Sequence, residues 1–450
     1  MRTAAPVLPG SSHTLESPID RALGLLLADE HEAALRWAAA IVKVDPLMPT
    51  GLLVCGRLLG DLGRQEVGRE ACLVAAGRAI DLENLPLAVA AAREIERLGG
   101  DPQPLLDEIA ASFCRGSARL GEGMPPPPPL PPAESFQPLA AVLTGAALLN
   151  KATEIVHEAN RLLAAETDRP GIASLPLFSD VSLEGLRALL ATMTSVWLTE
   201  DARVIEQGAE GSEAYFVARG ELVAERVVDG AKVELARLKN GAVFGEMALL
   251  SRAPRAASVV TARPSIVVRT DKEALDAVAE AQPEVGAALA AYGRDRMVQN
   301  LARMSELFAL VSEEGRAVIV SRAVPRTFEK GERLLSRGTP SPGVFILASG
   351  EVGVVGIDGA SGEPLVQGTR GPGDTVGEDA LVLRRACDAD VVALHPAVTL
   401  FLSEEAFRDI IEESPAVLLG LYKLAVRHDE ESDRIQREEA AIVDDSMMEE

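Results

Sequence analysis

Phe244-Gly245-Glu246-Met247-Ala248-Leu249-Leu250, continued by Ser251-Arg252-Ala253-Pro254-Arg255-Ala256-Ala257-Ser258, decides how this chain is read. A short turn built on Gly245 lets backbone amides come close to an anion, which only glycine allows without a side-chain clash. Glu246 adds a carboxylate that accepts hydrogen bonds from a hydroxyl. Further on, Arg255 presents a planar fork matched to two phosphate oxygens, and the amides of Ala256 and Ala257 offer donors to the same group. One segment thus has the parts to hold both ends of a sugar-phosphate. A Gly-Glu pair with one arginine also makes an internal ion pair that merely ties a turn together, and the segment alone leaves both readings open.

The rest of the chain narrows the choice. Its 450 residues exceed what one hydrophobic core supports, so two to four domains are expected. With 44 basic against 68 acidic residues the net charge is −24, which repels nucleic-acid polymers and anionic membrane surfaces. A small anion therefore needs a local basic site. Cys55, Cys72, Cys114 and Cys387 lack the paired spacing of a zinc site or a disulfide framework and read as reduced thiols. No apolar run is long enough to span a bilayer, and residues 1–13 lack a signal-peptide core, so the expected location is the cytoplasm. His13, His31, His157, His395 and His428 have no metal-ligand spacing, and nothing suggests a nucleophile or general base. The expectation is a protein that is not an enzyme, with no metal and no cofactor beyond its ligand.

Apolar residues spaced at three and four make residues 15–119 helical. Leu25, Ala33, Ala38 and Ile41 recur as Leu59, Val67, Cys72 and Ala75, each 34 positions on, a period that resembles tetratricopeptide repeats. A third, less regular pair is expected from Leu85 to Leu98 and from Pro104 to Phe113; an alanine-rich bundle without a groove is the plainer reading. Residues 120–138 contain Pro125 to Pro129 and Pro131-Pro132, a semi-rigid linker expected to separate two functional halves. Residues 139–170 form a helical connector expected to pack beside the next domain.

Beyond Pro170 the chain repeats itself. Leu177-Phe178, Gly208 and Gly220-Glu221 recur as Leu307-Phe308, Gly338 and Gly350-Glu351 at an offset of 130, and Gly245-Glu246 recurs as Gly377-Glu378 at 132. Short apolar strands with glycine turns at Gly220, Gly230, Gly350 and Gly359 follow a helix in each copy, the pattern of a small antiparallel barrel or jelly roll. The fold class expected is a multidomain α+β chain: N-terminal helical repeats, then two tandem β-jelly-roll domains, at 171–300 and 301–434, with flanking helices and an acidic tail at 435–450.

The cassette Gly245 to Ser258, the entry Leu175-Pro176-Leu177-Phe178 and the strand pair around Tyr215 to Leu222 together resemble the cyclic nucleotide-binding domain. The resemblance implies that Glu246 accepts the ribose 2′-hydroxyl and that Arg255 holds the phosphate. Gly245, Ala256 and Ala257 would supply backbone donors, with Met247, Ala248 and Ser258 completing the pocket. In the family, Thr or Ser after the cassette arginine accompanies cGMP; Ala256 here leans the ligand towards cAMP. A residue of the helix that follows closes the family's pocket, which makes Tyr292 a candidate base cap, its alternative being plain helix packing. In the second copy Gly377 and Glu378 persist but Cys387 stands where Arg255 would, beside Asp388 and Asp390, so that site is expected to be empty unless Arg384 or Arg385 substitutes. No DNA-reading domain is expected after the sensor. The tandem is similar to the regulatory subunit of cAMP-dependent protein kinase but lacks an Arg-Arg-x-Ser-like inhibitor segment. The expected function is a non-enzymatic cyclic nucleotide sensor with a protein partner on the helical repeats and neither nucleic acid nor membrane as partner; a structural scaffold with relic barrels is the rival, and a kinase regulatory subunit the third reading.

Overall fold

The computed structural model describes residues 17–123, 125, 128–166, 169–228, 231–246, 254–357, 364–413 and 417–427. Six helices open it: α1 (Pro18–Leu27), α2 (His31–Val44), α3 (Pro49–Asp61), α4 (Gln65–Asp81), α5 (Leu85–Arg97) and α6 (Gln103–Phe113). Local chemistry starts and stops them. Ser17 and Asp20 form a capping box at α1, with Ser17 Oγ accepting from Asp20 N at 3.2 Å and the Asp20 carboxylate accepting from Ser17 N at 3.1 Å. Each helix packs on its neighbours in sequence, so the region is a continuous helical stack with a buried Leu/Ala interior.

The proline-rich stretch does not hold the two halves apart. The chain leaves the helical stack at Leu120 and returns beside it at Ile172, where the two residues form a β-bridge. Asp81, fully buried at the end of α4, explains why the ends meet: it accepts from Arg119 at 2.8 Å and from Arg169 at 2.7 Å, one arginine on each side of the excursion. A buried carboxylate needs such partners. Between them runs α7 (Gly145–Ala165), whose Leu148, Ala152, Val156 and Ala159 form a stripe packed on α2, α3 and α4. The connector therefore belongs to the helical stack, not to the next domain.

After α8 (Leu183–Thr192) come β1 (Thr194–Leu198), β2 (Arg203–Ile205), β3 (Glu213–Arg219), β4 (Glu221–Val228), β5 (Ala231–Lys239), β6 (Val243–Phe244), β7 (Ser258–Thr261) and β8 (Ser265–Asp271). They form two antiparallel four-stranded sheets, β1-β8-β3-β6 and β2-β7-β4-β5, here called barrel A. The two-residue period of β3 and β8 splits their side chains. Tyr215, Val217 and Val267 point between the sheets with Ile205, Leu222, Phe244 and Val259, whereas Phe216, Ala218, Ile266 and Val268 join the core of the helical stack. Helices and barrel A thus share one hydrophobic core, with α5 lying on β1, β3 and β8. Polar contacts pin the seam: Arg93 donates to Met193 O at 2.7 Å, Leu190 O at 2.9 Å and Ala191 O at 3.1 Å, and Arg57 lies 4.6 Å over the Trp197 ring.

Helices α9 (Lys272–Ala281) and α10 (Pro283–Met304) follow, then α11 (Glu306–Leu310) and α12 (Glu313–Arg322). Barrel B repeats the plan with β9 (Val324–Phe328), β10 (Arg333–Leu335), β11 (Gly343–Ser349), β12 (Val352–Ile357), β13 (Pro364–Arg370), β14 (Thr375–Val376), the short α13 (Glu378–Val382), β15 (Asp390–Ala393) and β16 (Ala397–Ser403) before α14 (Glu404–Glu413). Its register carries the offsets read from the sequence: Tyr215 pairs with Phe244 in one copy, and Phe345 with Val376 in the other.

Candidate functional site

Gly245 follows β6 with φ +73, and a Cβ there would lie 2.8 Å from Glu213 O and 2.9 Å from Arg255 Nη1. Glycine is required on both counts. Arg255 is buried, held by two backbone bonds, its N–H donating to Ala209 O at 2.9 Å and its carbonyl accepting from Gly208 N at 2.8 Å. Its guanidinium donates to Gly245 O at 3.0 Å, Glu213 O at 2.8 Å and Glu213 Oε2 at 3.4 Å. Burial lowers its pKa, against which Tyr215, Glu213 and Glu246 act. The group passes directly over Gly211, where a Cβ would sit 2.7 Å from Nε and Nη2.

Glu246, 6% exposed, is met from α10: Asn300 Nδ2 donates to Oε1 at 3.3 Å and Arg296 Nε lies 3.7 Å from it. These residues open onto one cavity of about 340 Å³. Gly245, Glu246, Arg255, Ala256 and Ala257 form one end of it, and Ala224, Leu235, Leu238 and Val259 give an apolar side. Arg303 and Met304 from α10, with Ala348 and Ser349 from β11 of barrel B, complete the lining. The volume suits a mononucleotide-sized ligand, with charged side chains and apolar surface both in the lining.

Two of the sequence-derived residues stand elsewhere. Ser258 is buried outside the cavity lining, its Oγ accepting from Gln207 N at 2.9 Å, because it opens β7 and faces the β2 loop. Tyr292 lines a separate cavity of about 280 Å³ with Pro86, Phe178 and Phe216, where the helical stack meets the barrel. Position along α10 sets this: Arg296, Asn300 and Arg303, three or four apart on one face, line the nucleotide-sized cavity, and Tyr292 lies on the same face one turn earlier, beyond its edge. Met247 and Ala248 lie outside the described residues, as do Gly230 and Gly359. Glu213, Gly211, Arg296 and Asn300 were not singled out by sequence, although the first two were open to it: each differs between the copies where Arg255 does.

Barrel B shows what that difference makes. Cys387 keeps the backbone bonds of its counterpart, with Cys387 N donating to Thr339 O at 2.9 Å. Ser341 occupies the place of Gly211, and its hydroxyl donates at 2.7 Å to Gly343 O, the carbonyl equivalent to Glu213 O. A hydroxyl thus takes over a bond that the guanidinium makes in barrel A. The cavity beside Gly377 and Glu378 has shrunk to about 50 Å³ and carries Asp379 and Asp388. Burial, reinforced by Glu378, raises the pKa of Asp379, and burial raises that of the Cys387 thiol. Arg385 reaches this cavity but is engaged with Asp388 at 3.4 Å and Asp379 at 3.5 Å; Arg384 is not among its lining residues.

Among the described residues no three His, Cys, Asp or Glu side chains are grouped to hold a metal ion, and no helix is long and apolar enough to cross a membrane. The class follows from the barrels. Residues 195–282 and 325–414, one stretch in each, match the family model of the cyclic nucleotide-binding domain, so the chain carries two such domains in tandem behind a helical region. Among individual proteins it is 25% identical over 240 residues to a cAMP-dependent protein kinase regulatory subunit of Yarrowia lipolytica, an alignment covering 52% of this chain and 58% of that one. The chain thus spans less than two thirds of that relative. Solved structures it resembles include the regulatory domain of Toxoplasma gondii PKA with cAMP, at 22% identity, TM-score 0.28, 56% of this chain and 92% of that one. Another is the regulatory subunit of a cAMP-independent protein kinase A from Trypanosoma brucei, at 21% identity, TM-score 0.28, 57% and 88%.

Proposed function

We propose that this protein is a non-enzymatic cyclic nucleotide sensor with one reading site, in barrel A, and one closed twin. The observation that carries the reading is the convergence of Arg255, Glu246 and the Gly245 turn on one end of a 340 Å³ cavity, where barrel B has lost its arginine and most of the space. A cyclic phosphate would take guanidinium and amide donors at that end, and its ribose hydroxyl would compete with Asn300 for Glu246. The purine would then extend towards Arg303, Met304 and barrel B; cAMP and cGMP are the candidate ligands.

Output runs through protein contacts. α10 meets Glu246 on one side and, through Tyr292 and Arg296, the cavity shared with Glu83 and Pro86 of the helical stack on the other. A ligand that shifts α10 is felt by those helices, provided it binds two arrangements with different affinity. The tetratricopeptide-like stack is the surface that would hold a protein partner, in the manner of a regulatory subunit. Calorimetry on the full chain with cAMP and with cGMP tests the site. Heat with at least one, abolished in Arg255→Glu, is expected; no heat with either at millimolar concentration overturns the proposal.

A further inference from the structure

The guanidinium meant for a phosphate already holds a carboxylate. Nη2 of Arg255 donates both to Glu213 O at 2.8 Å and to Glu213 Oε2 at 3.4 Å, while Nη1 is tied to Gly245 O at 3.0 Å. On the remaining side the fork lies against Gly211, too close for any side chain. An incoming anion therefore meets a cation whose best edge is shared with an acid.

We propose that Glu213 is an internal stand-in for the ligand's phosphate: an affinity-setting residue whose carboxylate is displaced when the anion binds. The inference rests on the reading of this cavity as a cyclic nucleotide site. Carboxylate and phosphate present oxygen pairs of the same charge sign to the same guanidinium geometry, and one fork edge cannot serve both fully. The displacement is feasible, since the Glu213 side chain is 35% exposed while Arg255 is 8% exposed. The acid swings into water; the cation and the backbone bond to Glu213 O stay. Barrel B supplies an independent mark of the pairing. Where Arg255 is replaced by Cys387, Glu213 is replaced by Gly343, so cation and acid are lost together.

The test titrates the full chain, as wild type, Glu213→Gln and Glu213→Asp, with cAMP and with cGMP by calorimetry. Removing the competing charge is expected to tighten Kd about tenfold in the Gln variant, the equivalent of ~1.4 kcal/mol. Shortening by one methylene gives an intermediate value. A second readout crosses over: without nucleotide the Gln variant melts below wild type, because Arg255 has lost its partner, and with saturating nucleotide it melts at or above wild type. Equal or weaker binding by the Gln variant overturns the assignment of Glu213 and leaves the nucleotide site standing. Absence of binding in all three proteins overturns the site and this inference with it.

Discussion

Gly211→Ser imports into barrel A the residue that barrel B carries as Ser341. The backbone allows it, since Gly211 lacks the positive φ that would forbid a side chain. The guanidinium does not: the new Cβ would stand 2.7 Å from Nε and Nη2 of Arg255 and 3.1 Å from Cζ, and the two nitrogen contacts are closer than real Cβ atoms come. Serine cannot retreat, so Arg255 must move and surrender its bonds to Glu213 O at 2.8 Å and Gly245 O at 3.0 Å. A displaced fork loses a charge-assisted contact to the phosphate, worth about 1.5 to 3 kcal/mol, which corresponds to roughly 10- to 150-fold in Kd. Calorimetric titration of the full chain measures this directly. The double variant Gly211→Ser/Arg255→Cys adds a check through coupling: once the guanidinium is gone the serine hydroxyl can donate to Glu213 O, as Ser341 does to Gly343 O at 2.7 Å. The double variant should therefore be folded and more stable than Gly211→Ser alone, with nucleotide binding no weaker than in Arg255→Cys. Wild-type affinity in Gly211→Ser would refute the claim that this glycine exists to seat the arginine.

Three further substitutions probe the seam, barrel B and the second cavity. Arg93→Ala removes three donations from α5 to carbonyls at the end of α8; a loss of about 1 to 3 kcal/mol in denaturant unfolding is expected, and an unchanged midpoint would show that the seam does not depend on it. Asp379→Asn concerns pH: burial and Glu378 raise this carboxyl above its ordinary 3.8, so the native state binds more protons than the unfolded one and loses stability as pH rises through the raised pKa. The Asn variant should melt above wild type at pH 7, with the gap narrowing as pH falls towards 4; a constant gap refutes the assignment. Tyr292→Ala should leave the ratio of cAMP to cGMP affinities within about twofold, since the ring lies in the other cavity; a larger change in the ratio places it at the base after all.

Much of the fold was legible because the chain writes its barrel twice. Offsets of 130 and 132 aligned the copies, and the paired registers Tyr215 with Phe244 and Phe345 with Val376 repeat them in three dimensions. Helix limits of the third pair were nearly as clear: the expected Leu85 to Leu98 and Pro104 to Phe113 are observed as α5 (Leu85–Arg97) and α6 (Gln103–Phe113). What failed to show was docking. Nothing in the apolar stripe of α7 says whether it meets α2 and α4 or the barrel, and proline runs advertise extension without saying that Asp81 draws both ends together. How far along α10 the cavity reaches was likewise invisible, so Tyr292 stood as a candidate beside plain helix packing, while Arg296 and Asn300, which meet Glu246, passed unnoticed. Gly211 and Glu213 were within reach: reading the two copies for positions that change with Arg255, and not only for positions that persist, singles them out.

The shared core of helices and barrel A bears on how this protein can be cut. Phe216, Ala218, Ile266 and Val268 leave the barrel's own interior to join the helical one, so the smallest part that keeps its apolar surface covered includes α1 to α6 as well as the strands. A fragment of residues 171–300, drawn at the borders that sequence suggests, would carry a greasy face into water and invite aggregation. The same seam ties the evolution of the two parts together: a substitution in α5 is judged by how well the sheet still fits it, and the sensor cannot be exchanged like a cartridge without redrawing the helices that hold it.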